Sequence, residues 1–361
     1  MPHIARLEVS CFKSIREIQL DLAPLQVIIG ANGAGKSNLL SLFHLLNAIG
    51  SGQLQHFVDS HGGATSLLHY GPREGPRMGI RVVIRGPASK ISYQCTLTAT
   101  ERNGLMFENE VASYETTYPL VSGGTLMGLS NKESILREDF EVSHISLLTS
   151  PRVYHFQDAS AMAGLVRRGQ PGTDDYLRED GSNLAAFLLR LKSRFESHYS
   201  KIVDAVRSVA PFFEDFDLNP TASSGDAVVL NWRDRHSTFL FGPQQLPDGT
   251  RRVIALITLL LQPEELMPGV ILLDEPELGL HPYAIDVLTQ LIRDTSAHRQ
   301  VIVATQSATM ANCFPAETIL VAQRDGPATT IESMDSDALR EWLAEYSLGK
   351  MWRKPLPAET R

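Results

Sequence analysis

The residues most able to do chemistry form the octapeptide Gly30-Ala31-Asn32-Gly33-Ala34-Gly35-Lys36-Ser37, which fits the pattern GxxxxGK[ST]. In such a loop, glycines allow successive backbone N–H groups to curl around phosphate oxygens. Lys36 would add a positive charge and Ser37 a hydroxyl for Mg²⁺. Because an apolar strand (25–30) precedes the octapeptide and a leucine-rich helix follows it, the match predicts a phosphate loop rather than an incidental glycine turn.

A pair of acids follows four apolar residues in the stretch VILLDEPE. Asp274 falls at the carboxyl end of this expected strand, where open α/β sheets place their ligands, so it could hold Mg²⁺. Glu275 could polarise an attacking water as a general base. The two acids could also be only a solvated strand end. Together with a phosphate loop, however, they would supply a metal ligand and a general base to one nucleotide site.

The elements that must position these residues are apolar strands separated by helical segments, which indicates a parallel sheet covered on both faces. Residues 78–98 instead alternate apolar and polar side chains, which predicts an antiparallel hairpin with one wet face. We expect segments near 107–121 and 142–156 to add strands to that hairpin. Residues 183–209 carry an apolar helical face and predict a packed helix or a helical pair.

Composition limits the remaining possibilities. The chain has 361 residues, 43% of them apolar, with a net charge of −8, which suits one large domain with an insertion or two smaller ones. The acidic balance argues against a wholly basic nucleic-acid coat but leaves room for a local basic groove. Without a secretory or membrane-spanning run, the chain is expected to be cytoplasmic, with no membrane partner. Its three isolated cysteines indicate neither a disulfide framework nor a zinc site.

About 240 positions separate Lys36 from Asp274, so the intervening hairpins and helices are interpreted as an insertion between two halves of one nucleotide-binding core. The stretch LPDGTRRVIALITLLL lies shortly before the Asp274 strand. ATP-binding-cassette (ABC) ATPases carry their signature motif at this point.

Taken together, the motifs resemble the RecF, SMC and OLD branch of the ABC ATPases, and in particular the stand-alone bacterial P-loop ATPases of that branch. The resemblance covers nearly the whole chain, in order. It rests on the stretches FKSIREIQLDL, IIGANGAGKSNLL, YHFQDAS, YLREDGSNLAAFLLRL, LPDGTRRVIALITLLLQP, LLDEPELGLHPYAI, VIVATQS and LREWLAEYSLGKMW.

The resemblance implies an α/β fold, a P-loop NTPase of the ABC-type ATPase head with an antiparallel β subdomain and a helical insertion. The expected division is 1–160 for the N-terminal core with the phosphate loop and β lobe, 161–243 for the helical insertion with connecting strands, 244–345 for the C-terminal core, and 346–361 for a C-terminal tail. His155 is expected to be a packed or hydrogen-bonded histidine rather than a catalytic base.

The resemblance also assigns roles to residues, with ATP and Mg²⁺ as the implied cofactors. The implied catalytic residues are Glu275, Lys36 and Gln306. The implied metal ligands are Ser37, Asp274 and the Q-loop candidate Gln157. The implied nucleotide contacts are Lys13, Ser14, Gly30, Asn32, Gly33, Ala34, Gly35, Lys36, Ser37 and Asn38, with Leu280 and His281 in the D-loop that senses the opposite subunit.

In this family two heads dimerise head to tail, and each ATP lies between one subunit's phosphate loop and the other subunit's signature helix. The implied signature residues are Leu246, Pro247, Asp248, Gly249 and Thr250. A helix N-terminus presents unpaired N–H groups and partial positive charge to the terminal phosphate. Pro247 stands where the family has serine, and Gln306 where it has the switch histidine, so we expect a slow ATPase in which closure matters more than turnover.

Three functions follow from the resemblance. The first is a homodimerising ATPase acting on DNA, in repair or maintenance or as a DNA sensor. The second is a nucleotide-gated regulator or scaffold in an anti-phage system, controlling a separately encoded effector protein. The third and weakest is a transporter ATPase subunit, because the insertion is long and nothing resembles a membrane-coupling motif.

Overall fold

A mostly parallel sheet lies at the centre of the protein, in a computed structural model that describes residues 1–117, 120–134, 136, 146–156, 175–219 and 227–347. Its strands are β3 (Leu25–Ile29), β8 (Pro151–Tyr154), β12 (Val270–Asp274), β13 (Gln300–Thr305), β14 (Ile319–Asp325) and β15 (Ala328–Ser333). Their order is β15-β14-β3-β13-β12-β8. Neighbouring strands pair in parallel except β14 and β15, which form an antiparallel hairpin. The predicted parallel sheet is therefore confirmed.

The apolar runs of these strands are explained by two hydrophobic cores, one on each face of the sheet. On β13, Val301 and Val303 face one core, whereas Ile302 and Ala304 face the other. Side chains alternate between the faces of a strand, so a strand covered on both faces must be apolar at every position. Burial of each aliphatic side chain contributes about 1.5–3 kcal/mol to the free energy of unfolding. Because its strands contribute side chains to both cores, the sheet joins them into one unit.

An antiparallel sheet covers the first core. Its strands are β1 (His3–Phe12), β2 (Ile15–Asp21), β4 (Arg77–Arg85), β5 (Ser89–Ala99), β6 (Leu105–Thr117) and β7 (Leu120–Gly128), in the order β2-β1-β4-β5-β6-β7. On β4, Ile80 and Val82 are buried, whereas Arg77 and Arg81 are exposed. This alternation confirms the predicted hairpin with one wet face, and β6 confirms the added strand near 107–121.

The prediction that the segment near 142–156 joins this antiparallel sheet is wrong. In the described part of that segment, β8 pairs in parallel with β12, with Val270 opposite Pro151 and Leu273 opposite Tyr154. Val153 packs in the first core and Tyr154 in the second. Both faces of β8 are therefore buried, and this strand belongs to the central sheet.

Helices cover both faces of the central sheet. In chain order they are α1 (Lys36–Gly50), α2 (Leu54–Ser60), α3 (Ala64–Leu67), α4 (Ser146–Thr149), α5 (Leu184–Arg194), α6 (Glu196–Val209), α7 (Asp248–Leu261), α8 (Pro282–Ser296), α9 (Ala308–Ala311) and α10 (Ser336–Ser347). Short 3-10 turns occupy Pro243–Gln245, Glu264–Leu266 and Ala316–Thr318. Helix α1 contributes to the first core, whereas α5 to α8 and α10 contribute to the second. Within the described ranges, no helix has both the length and the apolar character needed to span a membrane.

The segment predicted as a helical insertion contains a helical pair and a small sheet. Helices α5 and α6 are separated at Phe195, whose backbone leaves the helical conformation. The small antiparallel sheet has the order β11-β10-β9 and consists of β9 (Phe213–Asp217), β10 (Asn231–Asp234) and β11 (Leu240–Phe241). At the other end of the chain, α10 extends two residues past the boundary expected at 345.

The sheet order brings the chemically interesting residues to one edge. The carboxyl ends of β3, β13 and β12 are neighbours, because these strands are adjacent and parallel. The phosphate loop follows β3, Glu275 follows β12 and Gln306 follows β13. Residues far apart in the chain thus meet at the edge where open α/β sheets bind ligands.

Candidate nucleotide site

The loop between β3 and α1 has the geometry of a phosphate cradle. Gly33 and Gly35 adopt φ values of 79° and 103°, a left-handed conformation that costs glycine little. A Cβ on Gly35 would collide with the side chain of Thr329, whereas a Cβ on Gly33 would meet no atom of the described residues within 4 Å. Neighbouring strands thus close one side of the loop, and Gly33 leaves the other side open to a phosphate group.

Lys36 links this loop to the acidic edge of the sheet. Its side chain is only 5% exposed, and its Nζ donates hydrogen bonds to the carbonyls of Gly30 at 2.6 Å and Ala31 at 3.3 Å. The same Nζ lies 4.0 Å from Oε1 of Glu275. Burial lowers the pKa of Lys36, while the nearby carboxylates, Glu275 first, act to raise it. The lysine is therefore a buried charge between loop and acids.

Glu275 is held at the strand end in an uncommon backbone conformation. Its φ is 46°, and its N–H donates to the carbonyl of Ala304 on β13 at 2.7 Å. Nε2 of Gln306 donates to Oε2 of Glu275 at 2.8 Å. The carboxylate that was predicted as general base, the glutamine at the switch position and the loop lysine are thus brought together.

Asp274 contacts a residue that follows β8, the edge strand next to β12. Nδ1 of His155, just after β8, lies 3.1 Å from Oδ2 of Asp274. This distance is consistent with the expectation that His155 is a packed or hydrogen-bonded histidine. Mg²⁺ is usually held by one or two carboxylates together with substrate phosphates, which the donor set of Asp274 and the Ser37 hydroxyl fits. Among the described residues, no group of three or more His, Cys, Asp or Glu forms an all-protein metal cage.

A third acid, Glu277, anchors the turn after β13. It is 8% exposed, and its Oε1 accepts a hydrogen bond from the Thr305 hydroxyl, whose oxygen accepts from the Ser307 N–H at 2.9 Å. Oε2 of Glu277 has no hydrogen-bond partner in the described part of the chain. Burial raises the pKa of Glu277, and the bond from Thr305 opposes that effect. This chain of contacts fixes the backbone on both sides of Gln306.

The C-terminal helix completes this support. The hydroxyl of Tyr346 donates to the carbonyl of Gln306 at 3.1 Å, and the Tyr346 ring stacks on Trp342 with centroids 4.7 Å apart. Glu277, Thr305 and Tyr346 were not among the predicted site residues. Only Glu277, the third acid of DEPE, offered a signal in the sequence, because the other two residues reach the site through tertiary contacts.

The turn between β1 and β2 lies beside the phosphate loop. Nζ of Lys13 donates to Oγ of Ser41 on α1 at 2.6 Å. Oγ of Ser14 lies 2.7 Å from Oγ1 of Thr329 and accepts a hydrogen bond from Nδ2 of Asn38 at 2.6 Å. The structure therefore places Lys13, Ser14 and Asn38 together, and their contacts with a nucleotide stay a prediction.

The predicted signature residues form the start of α7. Leu246 is only 2% exposed and its side chain packs in the second core, and its contact with a nucleotide stays a prediction. Pro247 precedes the helix with an extended backbone and no side-chain cap, and both Pro247 and Asp248 are exposed. Gly249 and Thr250 are partly exposed, so four of the five residues form a surface.

The remaining predicted residues have simpler surroundings. His281 precedes α8, and its Nδ1 accepts a hydrogen bond from the N–H of Tyr283 at 3.4 Å. Leu280 is partly buried against the second core. Gln157 lies outside the described residues. The D-loop and Q-loop roles of these residues stay predictions.

The glycine loop between β3 and α1, together with acids at the end of an adjacent parallel strand and a separate antiparallel sheet, defines the class: a mixed α/β P-loop NTPase with an ABC-type head. Domains of this class bind nucleotides with Mg²⁺. The family model described as "AAA domain, putative AbiEii toxin, Type IV TA system" matches residues 130–310. The chain belongs to this family of AAA-domain ATPases.

Solved structures with a similar fold are SMC head domains. The Smc head domain with a coiled coil and joint from Pyrococcus yayanosii has a TM-score of 0.60 and 12% identity, covering 96% of this chain and 100% of that chain. A Smc head with an extended coiled coil, bound to the C-terminal domain of ScpA, from Pyrococcus furiosus has a TM-score of 0.58 and 13% identity, covering 96% and 100%.

A third structure, a Smc head bound to the C-winged helix domain of ScpA, has a TM-score of 0.58 and 14% identity, covering 93% of this chain and 99% of that chain. At such low identity these likenesses establish the fold alone. Among curated proteins, none matches the sequence significantly.

Proposed function

We propose that the protein hydrolyses ATP at the edge formed by β3, β12 and β13. The observation that carries this proposal is the convergence of Lys36, Glu275 and Gln306, with Nζ of Lys36 4.0 Å from one oxygen of Glu275 and Nε2 of Gln306 2.8 Å from the other. Beside a phosphate loop, the buried cation can bind phosphate oxygens and the carboxylate, held by the Gln306 amide, can orient the attacking water.

Each residue has a distinct role in this proposal. Lys36 binds terminal phosphate oxygens as a point charge, and Glu275 orients a water molecule and accepts its proton. Gln306 holds the Glu275 carboxylate in place, but an amide cannot carry a proton as a histidine can. Ser37 and Asp274 would hold Mg²⁺, which would neutralise negative charge on the phosphates.

Two copies close head to tail around ATP, with Pro247 to Thr250 of one copy facing the phosphate loop of the other. The exposure of Pro247 and Asp248 at the start of α7 supports this step. The first N–H groups of a helix carry partial positive charge and lack intrahelical partners, so they favour a terminal phosphate. Hydrolysis removes that phosphate and releases the partner.

The mass of the Glu275→Gln variant in solution tests this proposal. This variant keeps the shape of the side chain but cannot accept a proton, so ATP with Mg²⁺ is expected to double the mass measured by light scattering, whereas ADP is not. The double variant Glu275→Gln/Lys36→Ala is the matched control and is expected to stay monomeric. If Glu275→Gln binds ATP without any change in mass, the dimer model is wrong.

This proposal has two versions. In the first version, the ATPase acts on DNA, in repair or maintenance, and the fold shared with SMC heads supports this version. In the second version, it gates a separately encoded effector in anti-phage defence. The family description, which names a toxin of a type IV toxin–antitoxin system, favours this second version. Stimulation of ATP turnover by double-stranded DNA would support the first. Co-purification with the product of a neighbouring gene, without DNA stimulation, would support the second.

A further inference from the structure

The two sides of β3 differ in what they can offer a nucleotide. On one side, β13 and β12 lead to Gln306 and Glu275, which must meet the terminal phosphate if the proposed ATPase is correct. On the other side lie β14 and β15, where Thr329 packs against Gly35 of the phosphate loop. If its terminal phosphate lies toward β13 and β12, a nucleotide would extend its sugar and base toward β14 and β15.

Two loops meet on this second side. The N–H of Lys13 donates to the carbonyl of Leu67 at 2.8 Å, and Nδ1 of His69 lies 2.7 Å from the carbonyl of Lys13. The N–H of Thr329 donates to the carbonyl of Ser14 at 2.8 Å. The segment 67–70, the β1–β2 turn and β15 are thus tied to one another beside the phosphate loop.

Tyr70 is the residue that this arrangement presents to solvent. Its side chain is 59% exposed although the residue is large and aromatic. Its φ is 53°, an uncommon value for a bulky residue, and its hydroxyl donates to the carbonyl of Pro327 at 3.3 Å, in the turn between β14 and β15. The ring of His69 meets the Tyr70 ring edge to face, with centroids 4.6 Å apart. The ring is therefore held at both ends while much of its surface stays open.

We propose that Tyr70 is the stacking platform for the base of the bound nucleotide. The inference rests on the proposed ATPase function and adds the residue that recognises the base. An aromatic ring beside a phosphate site increases affinity for a nucleotide by stacking on the flat face of the base. It does not contribute to binding of the phosphates. The Tyr70 ring is held by the bond from its hydroxyl to the Pro327 carbonyl and by the His69 ring, which is itself hydrogen-bonded to the Lys13 carbonyl, so little ordering is required when the base binds.

Calorimetric titration of the full-length chain in Mg²⁺ with two probes, ATP and inorganic tripolyphosphate, tests this role without measuring turnover. Tyr70→Ala is expected to weaken ATP about tenfold, because base–aromatic stacking has this magnitude, and to leave tripolyphosphate affinity within about twofold. Tyr70→Phe keeps the ring and is expected to retain ATP affinity. Tyr176→Ala removes another exposed tyrosine and is the matched control.

The outcomes separate this inference from the proposal on which it rests. If the unmodified chain binds both probes and Tyr70→Ala leaves ATP affinity unchanged, Tyr70 is not the base platform, and its exposed ring serves something else, such as a protein partner. If Tyr70→Ala weakens both probes equally, its role is structural and the inference is also wrong. If the unmodified chain binds neither probe, the ATPase proposal itself fails.

Discussion

The phosphate loop and the turn before α7 are both helix N-termini, yet the protein treats them in opposite ways. At the start of α1, Lys36 is buried and bonded to carbonyls of its own loop. At the start of α7, Pro247 and Asp248 are exposed, and Asp248 pairs only with Arg251 of its own helix among the ion pairs of the described residues. The residues at the start of α1 therefore contact other parts of the same chain, whereas those at the start of α7 are exposed to solvent.

Both starts depend on a glycine that lets another part of the chain approach. A Cβ on Gly35 would collide with Thr329, and a Cβ on Gly249 would lie 2.6 Å from the carbonyl oxygen of Gly279. Close packing is therefore common to both, and what differs is the direction of the free N–H groups and charges. Under the proposed ATPase function, a single chain therefore holds one phosphate-binding half-site for its own ATP and one half-site for the ATP of another copy.

The largest effect is expected from Lys36→Ala in the inward-facing half-site. Loss of this charge removes a charge-assisted contact to phosphate, so ATP affinity should fall about 100-fold or more. Asp248→Ala in the outward-facing half-site should change it less than about twofold when the chain is monomeric. Calorimetric titration at low protein concentration measures both. Comparable losses in the two variants would break the distinction between the half-sites.

An intermediate effect is expected from Thr305→Val. This variant tests how much the hydrogen bonds beside Gln306, in the inward-facing half-site, contribute to the stability of the fold. The variant removes the hydroxyl that donates to Glu277 and accepts from Ser307, leaving buried polar groups unpaired. The free energy of unfolding should fall by about 1–3 kcal/mol. Urea denaturation measures it. Thr318→Val, which loses a solvent-exposed hydrogen bond to Pro315, is the control and should change it by less than about 0.5 kcal/mol.

The smallest effect is expected from Pro247→Ser in the outward-facing half-site. Serine restores a hydroxyl and an N–H that can donate to a phosphate, so ATP turnover should rise by about two- to tenfold, equivalent to one ordinary hydrogen bond. Pro315→Ser changes another exposed proline at the start of a 3-10 turn and should leave turnover unaltered. Much higher turnover in the native protein than in Pro247→Ser would contradict the view that Pro247 slows the reaction.

Local patterns predicted much of the fold and the site. The phosphate loop, the apolar strands and the alternation of the β4–β5 hairpin are set by residue type and spacing, so they could be read directly. The sheet that β8 joins could not, because four residues are too few to distinguish a continuous apolar run from an alternating pattern. Leu246 shows a similar limit, since an apolar residue in a turn can anchor the core as easily as it can face a ligand.

Contacts between distant residues account for the rest. His155 reaches Asp274 across the neighbouring strands β8 and β12, and Tyr346 reaches Gln306 from the last described helix. Nothing in the local sequence around either residue specifies its partner. These pairings result from the order of strands in the central sheet and from the packing of α10 against α9. A single sequence does not reveal them.

The close packing of Gly249 against Gly279 connects the start of α7 to the segment that follows Glu275, and so connects the two half-sites. Gly279 lies four residues after Glu275, and Nη1 of Arg252 on α7 donates to the carbonyl of Leu278 at 2.9 Å. If the proposed head-to-tail pair forms, a second copy that presses on the start of α7 would move the segment that carries Glu275, the proposed catalytic acid, of the chain it touches. In a closed pair the two ATP molecules would then be hydrolysed cooperatively, and one inactive copy would alter the rate of its active neighbour.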